Sequence, residues 1–538
     1  MYLVVIMAFA FVLSEDLPPE QMNLLGGPPW TGLWPMYGTL AVVLAQLLAV
    51  GAAALMASRM TLARLGTSAE SHERATSTFS AWQRAIIGII ATMLIATMIL
   101  TPWMRLVHDE IHLWGRSLGQ WPLLGDLLSL VPFFASLALA WTIFYPVERQ
   151  IRVVISALPR SDGEAVARAV ANDATAALAA AKRKQSAAEG SLGTYLVDKF
   201  RHQVLIIAVP MTIIVLAKHF TDQLPDFLIK RYHPAQKDMA LFQWTADALL
   251  GTLSVVILAF APVILRYIWA TEPLPAGALR ERFVRTCRRI GLRYREILLW
   301  HTHGTAINAA VMGFVAPLRY ILVSDALLET MDEDEIEAVF GHEAGHIRHW
   351  HLPFFGLFAV ISMYISGGVI VLLSKTHLLH APGQASLVQL IGLATLLLVW
   401  LFGFGWLSRR FERQADVYGV RCVTPDVKSC LDRCPIHGTN PTGGLCVSAA
   451  NIFGRTLLKI ADLNGIPRDA PSWRHGTIES RCRLVEDLAA DRKKLKRFDR
   501  GIACLKIGLV AASLVGTAAA AMIYGAQIRQ AVNDWLGA

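Results

Sequence analysis

"GHEAGHIRHWHLPFFGLFAVISMYISGGVIVLLS", residues 341–374, joins two kinds of chain without a break. Four histidines and a glutamate crowd 342–351, and no charged side chain follows from 352 to 374. A membrane span takes roughly 20 apolar residues, so the second part is long enough to cross a bilayer. The first part puts metal-binding groups at the edge of that span.

Outward from this stretch the apolar signal recurs. Runs near spanning length lie at about 37–57, 85–103, 122–145, 203–217, 249–270, 352–374, 384–407 and 502–525. They explain a composition that is 54% hydrophobic and 17% charged over 538 residues, where globular chains carry roughly 25% charged residues. A polytopic helical membrane protein of about eight spans is expected. The first thirteen residues, "MYLVVIMAFAFVL", are too short to span and lack the basic flank of a signal peptide, so they read as a membrane-dipping terminus.

Lysine and arginine set the orientation. Residues 14–35 carry none, the loop after the first span carries Arg59, Arg64, Arg74 and Arg84, and the next carries only Arg105 and Arg116. Nine fall within 146–202, and only Lys375 falls within 375–383. The alternation places both termini outside and 271–351 and 408–501 in the cytoplasm. The net charge of +9 then sits mostly on that side, notably in "DRKKLKRFDR", 491–500. Beside a span, such a cluster suits anionic lipid headgroups rather than nucleic acid. The Ala-rich stretch within 146–202 reads as a solvated helix or a partner surface.

Cys422, Cys430, Cys434 and Cys446 lie close together with His437 among them. A reducing compartment disfavours disulfides. A second, structural zinc site is conceivable, but the spacing lacks the paired C-x2-C of common zinc modules, and ordinary thiols in a Gly/Pro-rich loop are the reading taken.

Residues 277–351 look like a small α/β unit. "LRERFVRTCRRIGL" reads as a basic amphipathic helix, and "REILLW", "NAAVMGF" and "RYILVS" as three short strands. "TMDEDEIEAVFGHEAGHIRHW" then reads as a helix, with Thr330 and Glu333 in capping-box spacing. Within it His342, Glu343 and His346 form H-E-x-x-H. Residues four apart share a helix face, so two imidazoles can hold one Zn2+ while the glutamate reaches the attacking water. Gly341 and Gly345 weaken the helix by about 1 kcal/mol each against alanine, which points to a close approach by substrate or by a packed helix.

Catalytic zinc takes three protein ligands. His349 lies seven residues from His342, or about 10.5 Å along a rigid helix, too far for one ion. Residue 352, where a metzincin keeps its third histidine, is leucine. His346 lies six residues before one span and Glu412 five after the next. A there-and-back crossing therefore returns Glu412 to the same side on a helix continuous with its span, and makes it the third ligand. Asp416, one turn on, can hold a ligand imidazole by its second N–H. His349 and His351 read as interface packing or polar contacts to headgroups.

H-E-A-G-H, two spans, and then F-E-R-Q-A-D resemble the integral-membrane gluzincins, the CaaX prenyl endopeptidases and HtpX-type proteases, over about 275–485. "NAAVMG", with Asn308, Ala309 and Gly313, is similar to that family's substrate-side strand, and "WRHGTIESR" is similar to its late His-Pro segment. The resemblance implies that His475 and Arg481 lie near the substrate or oxyanion, although Gly476 stands where proline is usual. It also implies a mainly α fold with a cytoplasmic α/β zincin-like metallopeptidase domain carrying a small sheet.

The organisation expected is an N-terminal membrane region at 1–270, the two parts of the peptidase domain at 271–351 and 408–501, a membrane hairpin at 352–407 between them, and a final span and tail at 502–538. The expected activity is zinc-dependent peptide hydrolysis with one ion per chain and Glu343 as the base. The substrate is a membrane protein or peptide. The Ala/Arg-rich composition favours quality control at a bacterial inner membrane over CaaX processing at the endoplasmic reticulum. A non-proteolytic transporter or receptor that keeps a metal site would favour ionisable residues inside the spans, where only Asp126 and Asp247, both near ends, are found.

Overall fold

The computed structural model describes residues 34–536 apart from 67–68, 102, 104–105, 122–123, 158–190, 233–238, 303–306, 314, 376–383, 424–429, 431–433, 435, 438–443 and 465. The membrane-dipping terminus and the Ala-rich stretch expected from the sequence lie outside these residues.

The chain divides into two units. The first comprises 1–226, 246–269 and 303–305. In it α1 (Trp34–Arg64), α2 (Ala69–Leu100) and α4 (Val131–Ala157) pack around Val50, Ile86, Ile90, Phe133 and Trp141, with the short α3 (Leu124–Ser129) and a two-residue hairpin, β1 (His112–Leu113) and β2 (Arg116–Ser117), between them. The buried amide of Gln46 is satisfied there, donating to Ser136 Oγ at 3.0 Å and accepting from Thr97 Oγ1 at 3.3 Å. Beyond α4 come α5 (Leu192–Phe200), α6 (Ile206–Tyr232) and α7 (Met239–Ile268).

Six helices among the described residues are long and apolar enough to cross a membrane: Tyr37–Arg64, Val131–Ile151, Ala248–Ile268, His351–Ser374, Ile391–Cys422 and Arg492–Ile523. The pair Leu192–Leu205 and Ala208–Arg231, bent by 48°, makes a seventh if it is counted as one span, and it covers the run the sequence put at 203–217. The run expected at 85–103 falls on the 32-residue α2, which is not among them.

The second unit holds the site. Its four-stranded sheet has the order β3 (Thr271–Pro273), β4 (Glu296–Trp300), β6 (Tyr320–Ser324), β5 (Ala309–Met312). β4 and β6 run parallel, and the outer strands are antiparallel to their neighbours. Three of these are the strands expected, and β3 is an addition. All five residues of β6 are buried, as a central strand covered on both faces requires. One cover is α8 (Ala278–Ile290), the basic amphipathic helix. It is held to α10 (Glu333–Arg348) by buried Glu337, which accepts from Thr286 Oγ1 at 2.7 Å, Arg289 Nη2 at 2.9 Å and Arg282 Nη2 at 3.0 Å.

The start of α10 corrects the expected cap. Thr330 closes the short α9 (Asp325–Thr330), and the capping box is Asp332 with Glu335. The far end differs too. Trp350 adopts φ +58°, so the chain turns before α11 (His351–Ser374) begins, and the H-E-x-x-H helix is not a straight extension of its span. The return crossing is continuous. It runs through α12 (Gln384–Leu398), a π-helical stretch at Val399–Phe404 and α13 (Gly405–Cys422). α14 (Val447–Leu463), α15 (Ile478–Ala490) and the 45-residue α16 (Arg492–Leu536) complete the unit.

Candidate metal centre

The two site helices lie against each other along a seam of small residues. A Cβ on Gly341 would meet the Cys422 Cβ at 2.5 Å, and one on Gly345 would meet the Ala415 Cα at 3.1 Å. Gly419 answers from α13, where a Cβ would meet the Phe453 ring at 2.5 Å. The glycines that weaken α10 thus let a helix approach, one of the two causes the sequence left open.

Across this seam His342, His346 and Glu412 each turn a ligand atom to a common point. The His342 Nε2 lies 3.4 Å from His346 Nε2 and 3.5 Å from Glu412 Oε2, and His346 Nε2 lies 3.7 Å from Glu412 Oε1. Ligands at about 2.1 Å from a tetrahedral ion stand about 3.4 Å apart, so these edges suit zinc.

Proton bookkeeping carries the same implication. Asp416 Oδ1 lies 2.9 Å from His342 Nδ1, which favours the proton on Nδ1 and turns Nε2 toward the ligand face. The His351 Nε2–H donates to Gln414 Oε1 at 3.0 Å, so His351 Nδ1 accepts from His346 Nδ1–H at 2.9 Å. The Nε2 of His346 is then also a lone pair. With both Nε2 atoms unprotonated, two lone pairs and a carboxylate face one another, an arrangement that suits a bound cation. Burial disfavours a charged His342, yet the Asp416 and Glu412 carboxylates push its pKa up to about 10. Burial and the charge of His342 bring His346 down to about 4. The pocket therefore demands positive charge on the face where the three ligand atoms meet.

His351 corrects the sequence reading. It is buried and stacked on Phe411 at 4.4 Å, turned to His346 and not toward lipid headgroups. Neither its role nor that of Gln414 was legible, because the connection depends on the break at Trp350.

His475 and Arg481 both reach the site. The His475 Nδ1 lies 2.8 Å from Glu412 Oε2, with its side chain 46% exposed. Arg481 is buried, its Nε and Nη2 donating to the two Asp416 oxygens at 2.9 and 2.5 Å, with Nη2 3.8 Å from Glu412 Oε2. The departure at Gly476 has a physical reason. Its φ of +76° closes a tight turn, and its N–H donates to Ser472 O at 2.9 Å, neither of which proline permits. Trp473 pins this turn by donating from Nε1 to Leu401 O at 2.7 Å, in the π-helical stretch. Such stretches cluster at functional sites.

Glu343 follows His342 on α10 and is half-buried. Burial, with the nearby Glu412 charge, raises its pKa against the pull of His342, His475 and Arg481. Ala309 opens β5, with Asn308 just before the strand and Gly313 just after it; β5 forms the sheet edge and packs beside α10. The Asn308 backbone pairs with Ser324, Ala309 is buried, and Gly313 at φ +97° ends the strand where a Cβ would meet Leu318 O at 2.6 Å.

Residues 273–432 match the model of Peptidase family M48. A CAAX prenyl protease 1 homolog of Arabidopsis thaliana is 28% identical over 194 residues, covering 34% of this chain and 45% of the relative. A Protease HtpX of Xylella fastidiosa (strain 9a5c) is 30% identical over 187 residues, covering 33% of this chain and 63% of the relative. The first of these matches thus spans less than half the relative's length. The crystal structure of S. mikatae Ste24p aligns with a TM-score of 0.48 and 14% identity, covering 85% of this chain and 100% of that one. The match to the family model takes in H-E-A-G-H, the hairpin and Glu412, so this part of the chain is similar to Peptidase family M48.

Proposed function

We propose that the chain is a zinc-dependent membrane endopeptidase, hydrolysing peptide bonds of membrane proteins at the cytoplasmic face in quality control or processing. The observation that carries this reading is the convergence of ligand atoms from His342, His346 and Glu412 beside a glutamate. When bound, one zinc ion supplies a Lewis acid that polarises the scissile carbonyl. Glu343 takes the proton of the attacking water and returns it to the departing amine. Asp416 and His351 hold the two imidazoles in the tautomers that keep Nε2 free. His475, the most exposed of the group, is the donor left for the substrate's developing oxyanion. Arg481 is a positioning residue, because Asp416 occupies its guanidinium. An extended substrate adds to the β5 edge from Asn308 to Gly313 through its backbone.

The test is Glu343→Gln in purified full-length protein. Proteolysis should fall by about 10²–10⁴-fold while zinc content stays at the wild-type level. A variant as active as wild type would refute the mechanism. Substrate class is read by giving the enzyme an unmodified membrane protein and a farnesylated CaaX peptide side by side. Preference for the farnesylated peptide would overturn the quality-control reading and leave the chemistry intact.

A further inference from the structure

Between α13 and α14 a second group of metal-binding side chains comes together. Cys430, Cys434, His437 and Cys446 each turn a ligand atom inward, all four within 4.8 Å of one another. Cys430 Sγ lies 3.3 Å from Cys446 Sγ and 3.2 Å from His437 Nδ1, and Cys434 Sγ lies 3.9 Å from His437 Nδ1. Sulfurs bound at about 2.3 Å to a tetrahedral ion stand about 3.8 Å apart, so the cluster needs only a small adjustment to close on one. Cys434 and Cys446 are buried, and the Cys434 sulfur accepts from the backbone N–H groups of His437, Ile436 and Val447. Several N–H groups aimed at one sulfur favour its thiolate, the form a metal requires.

We propose that these four residues bind a second zinc ion that is structural. Three thiolates and an imidazole in tetrahedral reach select zinc over the harder divalent cations. Four protein ligands leave no open position for water or substrate, which separates this centre from the one at His342. Binding releases three thiol protons and leaves the cluster with one net negative charge. Cys422, grouped with these cysteines in the sequence, belongs elsewhere, against Gly341 at the end of α13. The ligand spacing becomes C-x3-C-x2-H-x8-C, in which C-x2-H fills the place of the missing C-x2-C. Cys434, His437 and Cys446 lie beyond residue 432, outside the stretch that matches the family model. The physical role is a staple. Cys446 is the N-cap of α14, and that helix carries Phe453, whose ring lies against Gly419 and 6.4 Å from the His342 ring. An ion at the cluster fixes the chain leaving the Glu412 helix to the helix that backs the catalytic histidines.

The experiment measures metal in the full chain purified in detergent under reducing conditions. Wild type should hold two zinc ions per chain. His346→Ala should hold one, and so should Cys430→Ser/Cys434→Ser, while Cys504→Ser, at an exposed cysteine outside the cluster, should keep both. Cobalt exchanged into wild type and into His346→Ala should give thiolate-to-metal charge-transfer absorption, and the double cysteine variant should lack it. The wild-type and His346→Ala spectra need no folded cluster variant, so misfolding of that variant does not blur the outcome. Failure of the peptidase reading would instead leave wild type with one ion and a full thiolate spectrum. A wild type with no thiolate-bound metal, a Cys430–Cys446 disulfide under these conditions, or iron in place of zinc would each overturn the proposal.

Discussion

At the scale of single residues, the site is governed by which nitrogen carries a proton. His351 decides this for His346, and it does so from a buried position stacked on Phe411. His351→Phe preserves an aromatic stack and removes the acceptor for His346 Nδ1–H. Partners of this kind change metal affinity by about 10–100-fold, so zinc titration of the chelated variant should need that much more metal for half-recovery of activity. Unaltered zinc affinity would mean the hydrogen bond does not orient His346. Glu343 sets the acid limb of activity. Burial raises its pKa above the usual glutamate value of 4.5. The proposed base works only when deprotonated, so kcat/KM should fall as pH drops, and Glu343→Asp should move that acid limb. A limb left in place by Glu343→Asp would remove Glu343 from the role of base.

At the scale of elements, the fit of α10 to α13 controls the geometry of the three ligands. An alanine at 341 puts a methyl 2.5 Å from the Cys422 Cβ, an atom held by backbone and unable to swing away. Gly341→Ala should force the helices apart, at about 1–3 kcal/mol in stability, and should weaken zinc binding although no ligand is touched. Gly501→Ala is the control. It meets nothing within 4 Å, and its gain in helix propensity should leave the protein as stable or up to about 1 kcal/mol more so. Equal behaviour of the two variants would show that the seam does not set the site. Much of this level was legible in advance. The spacing of His342, His346 and Glu412 about an apolar hairpin, and the two glycines, were enough to call for two helices meeting at a metal. The π-helical stretch that meets Trp473, the turn at Gly476 and the break at Trp350 were not, because each depends on a backbone departure without a periodic signature. The four clustered cysteines of the sequence do not all stay together, for a related reason. Linear spacing grouped Cys422 with the others, whereas the end of α13 carries it away to Gly341.

At the scale of the whole molecule, two helices long and apolar enough to cross a bilayer separate the ligands of the metal centre, and a crossing out must be matched by a crossing back. The helix His351–Ser374 has 24 residues and is therefore about 36 Å long, against roughly 30 Å of hydrocarbon. The return helix, Ile391–Cys422, carries Glu412 in its final third, so this ligand stands off the end of the apolar segment, level with the turn at Trp350. A single crossing would separate His346 from Glu412 by the bilayer thickness, and their atoms are 3.7 Å apart. Position 375 must then lie on the opposite side from 469, which precedes the His475 turn. The sparse charge around 375, set against the arginines of 408–501, is the basis for proposing the first outside and the second in the cytoplasm. With the exposed Cys504 replaced by serine, a membrane-impermeant maleimide should label Lys375→Cys in intact cells and Asp469→Cys only after permeabilisation. The reverse pattern would keep the double crossing and invert the orientation, turning the active site outward. Labelling of both positions from the same side would show that the segment between the ligands does not cross at all, and the hairpin would no longer explain how the histidines and the distant carboxylate meet.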